Sequence, residues 1–530
     1  MIVAWFAGLS LLYWLAVFLV CGQAGFPLDD SFIHLQFARN LYEHGQMAFN
    51  EGVLSSGSTA PLWPMLIALT YPLVRNWYLT SYVLASLCSL GTALAVYGIM
   101  RNWTGRQELA RWAGLLTVLL APTLVQGYTG MESAAYSLCF LIGLWFYGRA
   151  SQRLLATVCF TTCVWLRPEF LVMLPLIALE LAVSARRAGA GWLWRFVKSV
   201  SPHLAVWTVV IAAYAAYNYH QDGHFVPNTF SAKAVAPGFA RPAWLDGLPA
   251  AIKRGNPLYV VTAVLVWPTL VLFVAGAGLG VNCAPLAFGV REAIVAQWRS
   301  TSPVASARRL AVLSLVGYPW LRGFVDSGGV LLFQFQRYYA HLTPLLILVV
   351  IGALPLTGTL VERRFWSWRG RSLDFQRRQT FRWAVPCFVV TGALCVLAVW
   401  NINSMQLPIA RWVQEHTAED DVIAANDIGA IGFISRRPIL DTVGLVEPEL
   451  VEHYMNGGAI LDYLRKKNPA YVIIFPRWYK DLSCRQDMLE PVYSVKLAFN
   501  VICGGSDMIV YRPKWRDADS VRIGGMFPAN

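Results

Sequence analysis

"PLDDSFIHLQFARNLYEHGQMAFNEG", residues 27–52, follows directly on Ile2–Val20, a run of almost wholly apolar residues. A membrane-spanning helix needs about 20 such residues. Two adjacent acids, Asp29 and Asp30, therefore stand where a hydrophobic helix meets whatever lies beyond it. The leading run has no basic segment before it, and many further apolar runs follow, so it reads as a retained helix rather than a cleaved signal. After the acids, Ile33, Phe37 and Leu41 recur at helical spacing. Residues 30–44 are thus expected to form an amphipathic helix along the membrane surface, with Asp30 as its cap.

Composition agrees with a membrane protein. Only 14% of the residues are charged and 56% are hydrophobic, with a mean hydropathy of +0.48. Soluble domains carry about 25% charged residues. The net charge of +13 invites a nucleic-acid reading. The positions of the charges exclude it, because the arginines sit in short loops between apolar runs, as topology signals do. The ten cysteines are scattered, mostly inside apolar runs, with no CxxC metal spacing. Cys484 and Cys503 lie in the less apolar tail, where a disulfide between them is open if the tail is extracytoplasmic.

Apolar segments long enough, or nearly long enough, to span begin at about residues 2, 80, 112, 134, 154, 169, 203, 258, 310, 339 and 383. Segment 60–75, with three prolines, is short and reads as an interfacial or half-depth helix. If the N-terminus is cytoplasmic and 60–75 does not cross, the cytoplasmic loops are 101–111, 149–153, 185–202, 283–309 and 361–382. Together they hold twenty Lys and Arg against four Asp and Glu, and "VERRFWSWRGRSLDFQRRQTFR" (361–382) alone has seven Arg. The other loops, 22–59, 128–133, 220–257 and 326–338, are poorer in both cations. This is the bias of the positive-inside rule. It favours eleven crossings with the C-terminus outside. From about residue 401, "DVIAAND", "AYVIIF" and "MIVYRP" read as strands and "GGAILDYLRKKNP" as a helix. Their alternation predicts a soluble α/β domain over 401–530, after a membrane domain over 1–400.

Several polar groups fall on the predicted outer side. Asp29 and Asp30 are either caps and topology markers or functional carboxylates at a membrane boundary. "GVLSSGSTAPLW" (52–63), with Ser58 and Thr59, offers backbone N–H groups to an anion or is an ordinary loop. Glu132 stands at a turn in "GYTGMESAAY", and Arg167 and Glu169 flank a proline in "WLRPEF". "VPNTFSAKA" supplies Asn228, Thr229 and Lys233, and "FQFQRYYAHLTP" supplies Arg337, Tyr338, Tyr339 and His341. Arg337 suits a phosphate head group or is an interfacial anchor. Acids and fixed cations together suit transfer from a phosphate-bearing donor: a carboxylate takes a hydroxyl proton and a cation stabilises the departing phosphate.

On these residues the chain resembles the GT-C superfamily of polyprenyl-phosphate-sugar-dependent membrane glycosyltransferases. The acid pair, "FARNLYEHGQMAFNEG", "GSTAPLW", "TGMES", "LRPEF", "PNTFSAKA" and "QRYYAHLTP" carry the resemblance. "NDIGAIGFISRRPILDTVGL" is similar to the soluble domain of the branch containing the mycobacterial terminal arabinofuranosyltransferase. The resemblance implies a GT-C fold of about eleven transmembrane helices with a C-terminal soluble α/β domain. It implies Asp29 as catalytic base beside Asp30. Arg337, Lys233 and Tyr338 would hold the donor phosphate, and Glu132, His34, Asn228, Ser58 and Thr59 the acceptor or sugar. It implies no metal and no cofactor. The partners it implies are a polyprenyl-phosphate sugar, a glycan or lipid-linked acceptor and membrane lipids, with no nucleic acid, at the outer face of the cytoplasmic membrane. A lipid-linked-sugar flippase is the competing reading, but its charged groups would line a mid-membrane path. A membrane sensor using the tail as a binding module leaves the acids and Arg337 unexplained.

Overall fold

The computed structural model describes residues 1–235, 295, 298–323, 334–352 and 373–515. The apolar segment beginning near residue 258, residues 236–257 and 326–333 of the loops expected outside, and the first half of the 361–382 loop lie outside them. The chain divides into two compact units: Met1–Trp14, Tyr82–Tyr214 and Pro242–Ala393 form one, and Leu15–Ser81, Ala215–Arg241 and Leu394–Asn530 the other.

Helices come in chain order as α1 (Ile2–Cys21), α2 (Asp30–His44), α3 (Leu62–Val74), α4 (Trp77–Thr104), α5 (Gln107–Leu119), α6 (Ala121–Gln126), α7 (Ser133–Tyr147), α8 (Arg153–Leu166), α9 (Met173–Arg187), α10 (Trp192–Asp222), α11 (Asn228–Val235), α12 (Pro303–Gly323) and α13 (Leu342–Gly352). Among the described residues, five helical stretches are long and apolar enough to cross a membrane: Ile2–Cys21, Trp77–Thr104, Pro168–Arg187, Trp192–Asp222 and Phe388–His416. Leu19 is 77% exposed and Val209 67%. Large apolar side chains left open on such helices are the mark of a lipid-facing surface. With 13 residues, α3 is roughly 20 Å long, short of the ~30 Å hydrocarbon core.

In the first unit, α7 and α8 pair through a short 3₁₀ turn at Ala150–Gln152. Gly143 admits the Phe160 ring there, since a Cβ would lie 2.6 Å from it. The α9 and α12 helices pack around a buried ion pair. Arg309 donates from Nε and Nη2 to Glu180 Oε1, at 3.1 and 2.9 Å, and also to Ser184. Both charged side chains are fully buried.

In the second unit, helices α14 (Leu373–Ser404, of which the last residues belong here) and α15 (Gln406–His416) lead into a five-stranded sheet. Its strands are β1 (Ile423–Ala425), β2 (Ile439–Asp441), β3 (Tyr471–Ile474), β4 (Leu489–Lys496) and β5 (Asp507–Pro513), in the order β2-β1-β3-β5-β4. The first three are parallel and β5 and β4 close the sheet antiparallel. Crossovers run through α16 (Gly429–Ser435), α17 (Pro448–Met455) and α18 (Ile460–Lys467). The expected α/β domain is present, with β2 and β4 added to the three strands read from sequence.

Alternate strand residues face opposite sides. Ile423, Ala425 and Ile473 pack with Phe37 of α2, Met47, Phe49 and the α15 residues Ile409 and Val413. Ala424, Val472 and Ile474 pack with Leu450, Tyr463 and Leu464. The α2 helix matches its expected span but sits between α3 and α16, and Ser31, Phe32 and His34–Asn40 are buried. Asp30 is not its cap. Asp29 holds that position, without a side-chain cap bond, and Asp30 lies in the first turn where its charge suits the helix dipole. Cys484 and Cys503 are both free thiols.

Arg309→Met leaves the Glu180 carboxylate buried without its cation. It should lower stability by about 3–5 kcal/mol, and Arg309→Met with Glu180→Gln should recover much of that loss. Thermal unfolding of the two variants in detergent checks this.

Candidate functional site

The chain's own packing holds Asp29 still. Phe26 stacks on Tyr78 with ring centroids 5.3 Å apart and meets Phe32 edge-on at 5.2 Å. With Phe26, Leu28 and Phe32 buried on either side, the Asp29 backbone has little freedom. Its carboxylate reaches a helix 400 residues away in sequence. Gly429 N–H donates to Oδ2 at 2.7 Å and Ala430 N–H to Oδ1 at 2.8 Å. These are unsatisfied donors of the first turn of α16, so Asp29 caps α16 rather than α2. Only glycine fits at 429, because a Cβ would stand 2.1 Å from Asp29 O and 2.6 Å from Oδ2.

A third acid, Asp427, completes the cluster. It lies two residues past the end of β1 and accepts from Gln406 Nε2 at 2.7 Å, and its carboxyl hydrogen-bonds that of Asp29. Burial pushes Asp29 well above the usual carboxylate range and the Asp427 charge adds to this, against the pull of the two N–H donors. Burial likewise raises Asp427 to about 6, with the Asp30 charge adding, while Gln406 pulls the other way. Two carboxyls in contact resist double ionisation, so each makes the other harder to ionise. Asp30 completes a set of three carboxyls and is half-buried.

Other expected site residues of the second unit are placed as follows. His34 is buried on α2. The 55–59 loop is tied to α10 and α11: Ser56 Oγ donates to Asp222 Oδ2, Asn228 N–H donates to Ser56 Oγ at 2.9 Å, and Thr229 Oγ1 donates to Gly57 O at 2.9 Å. Asn228 Nδ2 donates to Gly444 O at 2.6 Å, so this side-chain donor secures the loop after β2. That loop is itself held by Asp441, whose carboxylate accepts from Val443 and Val446 N–H at 2.9 and 3.1 Å. Ser58 is buried, Thr59 half-buried, and Lys233 half-buried on α11.

The first unit gathers the guanidiniums. Arg167 ion-pairs with Glu132 and lies 3.7 Å from Glu169. The Arg167 and Arg337 guanidiniums both stack on the Tyr338 ring, 4.4 and 5.0 Å from its centroid. Arg337 Nη2 also donates to the Tyr338 hydroxyl at 3.0 Å. Glu132, Arg167, Arg337 and Tyr338 are all buried. His341 stands among Tyr136, Phe140 and Tyr318, with ring centroids at 4.9, 5.0 and 4.5 Å. Glu132 thus pairs with Arg167, and the Arg–Glu contact expected within "WLRPEF" is one edge of a larger cluster.

Sequence reasoning missed Asp427. "DVIAAND" reads as one strand, but the strand ends at Ala425. The available signal was an Asn-Asp pair between a β-type run and Gly429. Loops at the carboxyl ends of parallel strands, where strand order reverses, are where α/β folds place their working groups.

Residues 400–516 match a family described as a domain of unknown function (DUF8728). No curated protein matches the chain. Among solved structures, ArnT from Cupriavidus metallidurans bound to undecaprenyl phosphate aligns with a TM-score of 0.57 at 12% identity, over 96% of this chain and 98% of that one. The chain has the GT-C fold. The apo form of the same ArnT aligns equally well, with a TM-score of 0.57 at 15% identity. The archaeal oligosaccharyltransferase AglB from Archaeoglobus fulgidus, in complex with an inhibitory peptide and a dolichol-phosphate, aligns with a TM-score of 0.50 at 11% identity, over 88% of this chain and 69% of that one. A GT-C fold and several apolar spans make the chain a multi-pass membrane protein.

Two variants test the carboxylate seat. Gly429→Ala should push Asp29 off α16 and destabilise the chain by about 1–3 kcal/mol, read by thermal unfolding. The second concerns pH. Folding raises Asp427 from the usual 3.8 to about 6. A carboxyl raised by folding holds its proton more tightly in the folded chain. Its stabilising contribution is therefore full below about pH 3.8 and lost as pH climbs through about 6. Asp427→Asn escapes that loss, so its melting temperature relative to the parent should rise from about pH 4 to about pH 7 and then level off.

Proposed function

We propose that the chain is an inverting glycosyltransferase of the outer face of the cytoplasmic membrane, with its N-terminus inside and its C-terminal domain outside. It would move a sugar from a polyprenyl phosphate to a hydroxyl of a cell-envelope glycan or lipid-linked acceptor. The observation that carries this reading is the Asp29–Asp427 pair, built into a fold that a polyprenyl-phosphate-bound ArnT shares. A carboxylate with an elevated pKa is suited to accept a hydroxyl proton at neutral pH. Each Asp29 oxygen accepts one backbone N–H, and beside those donors and Asp427 the carboxyl has lone-pair capacity left for that proton.

The step balances simply. Asp29 takes the proton from the acceptor hydroxyl, and that oxygen forms a bond to the anomeric carbon. The bond from that carbon to the phosphate oxygen breaks on the opposite side, and its electron pair leaves with the polyprenyl phosphate. On the resemblance to GT-C enzymes, Arg337, Lys233 and Tyr338 would hold that phosphate. Asp30 and Asp427 hold Asp29 in its reactive state. His34, Ser58 and Thr59 shape the approach of acceptor or sugar, Asn228 secures the loop after β2 and Glu132 orients Arg167, and the resemblance to the arabinofuranosyltransferase branch makes arabinofuranose the first sugar to try.

Purified protein in nanodiscs, given a panel of polyprenyl-phosphate sugars and glycan acceptors, tests the reading. One donor should be consumed, Asp29→Asn should slow transfer by about 10²–10⁴-fold, and Arg337→Gln should slow phosphate departure. Turnover of no donor, or full activity in Asp29→Asn, sinks the mechanism.

A further inference from the structure

Helices α4 and α7 approach each other at two glycines. A Cβ on Gly91 would stand 2.9 Å from Leu138, and one on Gly98 would stand 2.9 Å from Trp145. Beside these contacts lies a cavity of about 720 Å³, lined by Leu94, Ala95, Tyr97, Leu138, Ile142 and Trp145, with Arg101 and Asn102 also on its wall. The walls are apolar along most of their length, with the charged and amide groups, Arg101 and Asn102, at the α4 C-terminal end. From Gly91 to Asn102 the helix rises roughly 16 Å, close to half of the ~30 Å hydrocarbon core. With 28 residues, α4 measures roughly 42 Å, which spans the core and both headgroup zones. Arg101, three residues from its end, therefore sits at headgroup depth.

The Arg101 side chain is exposed, and no carboxylate among the described residues lies within ion-pair distance of it. The neighbouring turn adds exposed Arg106 and Arg111 against one acid, Glu108. Leu94, 42% exposed, projects from the middle of the apolar stretch.

We propose that this groove is a binding site for one anionic membrane phospholipid. An acyl chain lies along Leu94, Ala95 and Ile142, and the phosphodiester is held by Arg101, in the leaflet on the side of the 101–111 loop. A guanidinium recognises a phosphodiester through paired N–H donors, and the surrounding arginines add attraction for net negative headgroups. The groove's length matches one leaflet, and its polarity changes where a lipid's does. This site is independent of the sugar-transfer reading and requires only that α4 span a bilayer.

Full-length protein in detergent, titrated separately with phosphatidylglycerol and phosphatidylcholine and followed by native mass spectrometry, tests it. One phosphatidylglycerol should remain bound and outcompete phosphatidylcholine. Arg101→Gln should weaken its retention by about tenfold, and Leu94→Trp, which fills the groove from its open side, should weaken it at least as much. Arg186→Gln, at the end of α9, should leave it unchanged. Equal retention of both lipids with no effect of Arg101→Gln overturns the proposal. So does a shift between monomer and dimer in Leu94→Trp, which would make a second copy the occupant.

Discussion

A single carboxylate ties the segment after the first membrane helix to the C-terminal sheet. Asp29 receives N–H donors from Gly429 and Ala430, and the rest of the second unit is arranged so that it can. The α2 helix starts at its shoulder. Gln36 and Asn40 turn inward to bind the Ala48 and Phe49 carbonyls, and Arg39 Nη1 donates to Phe433 O at 2.8 Å, at the far end of α16. Buried polar groups are retained only where they are paired, and here the pairing joins two remote stretches of chain. A carboxylate left in an apolar setting would be protonated. Here burial and a neighbouring acid push its pKa up, and two backbone donors pull against that rise.

The two units divide the charged chemistry. The second holds the cluster of Asp29, Asp30 and Asp427, of which Asp29 and Asp427 are in contact. The first holds Arg167 and Arg337 on the Tyr338 ring, with Glu132 and Glu169 against Arg167. In each case a like-charged pair is kept close by what surrounds it: backbone N–H donors and Gln406 for the acids, an aromatic face and counter-charges for the guanidiniums. Glu132 therefore belongs with the cations of its own unit, and the Ser56–Asn228–Gly444 bonds are spent on joining loops.

Much of this was legible in the sequence. The apolar runs, the loop charges, the span of α2 and the alternation of strand and helix after residue 401 all follow from local composition and period. The three strands read from "DVIAAND", "AYVIIF" and "MIVYRP" are present as β1, β3 and β5. The β2 strand escaped because three residues buried on both faces carry no alternation. The capping role of Asp30 was misjudged because a cap was sought in the nearest helix.

Sequence by itself therefore determined what depends on neighbours along the chain: that it enters a membrane, where α2 begins and ends, and which stretches after residue 401 are strand or helix. Tertiary structure alone decided which charges meet. Asp29 and Asp427 are 398 positions apart, and Arg167 finds both Glu132 and Tyr338. Such pairings are set by burial, which raises the energy of every unpartnered charge until the fold brings a partner to it. Hydropathy and period describe one segment at a time, so they cannot say which distant group will answer that demand.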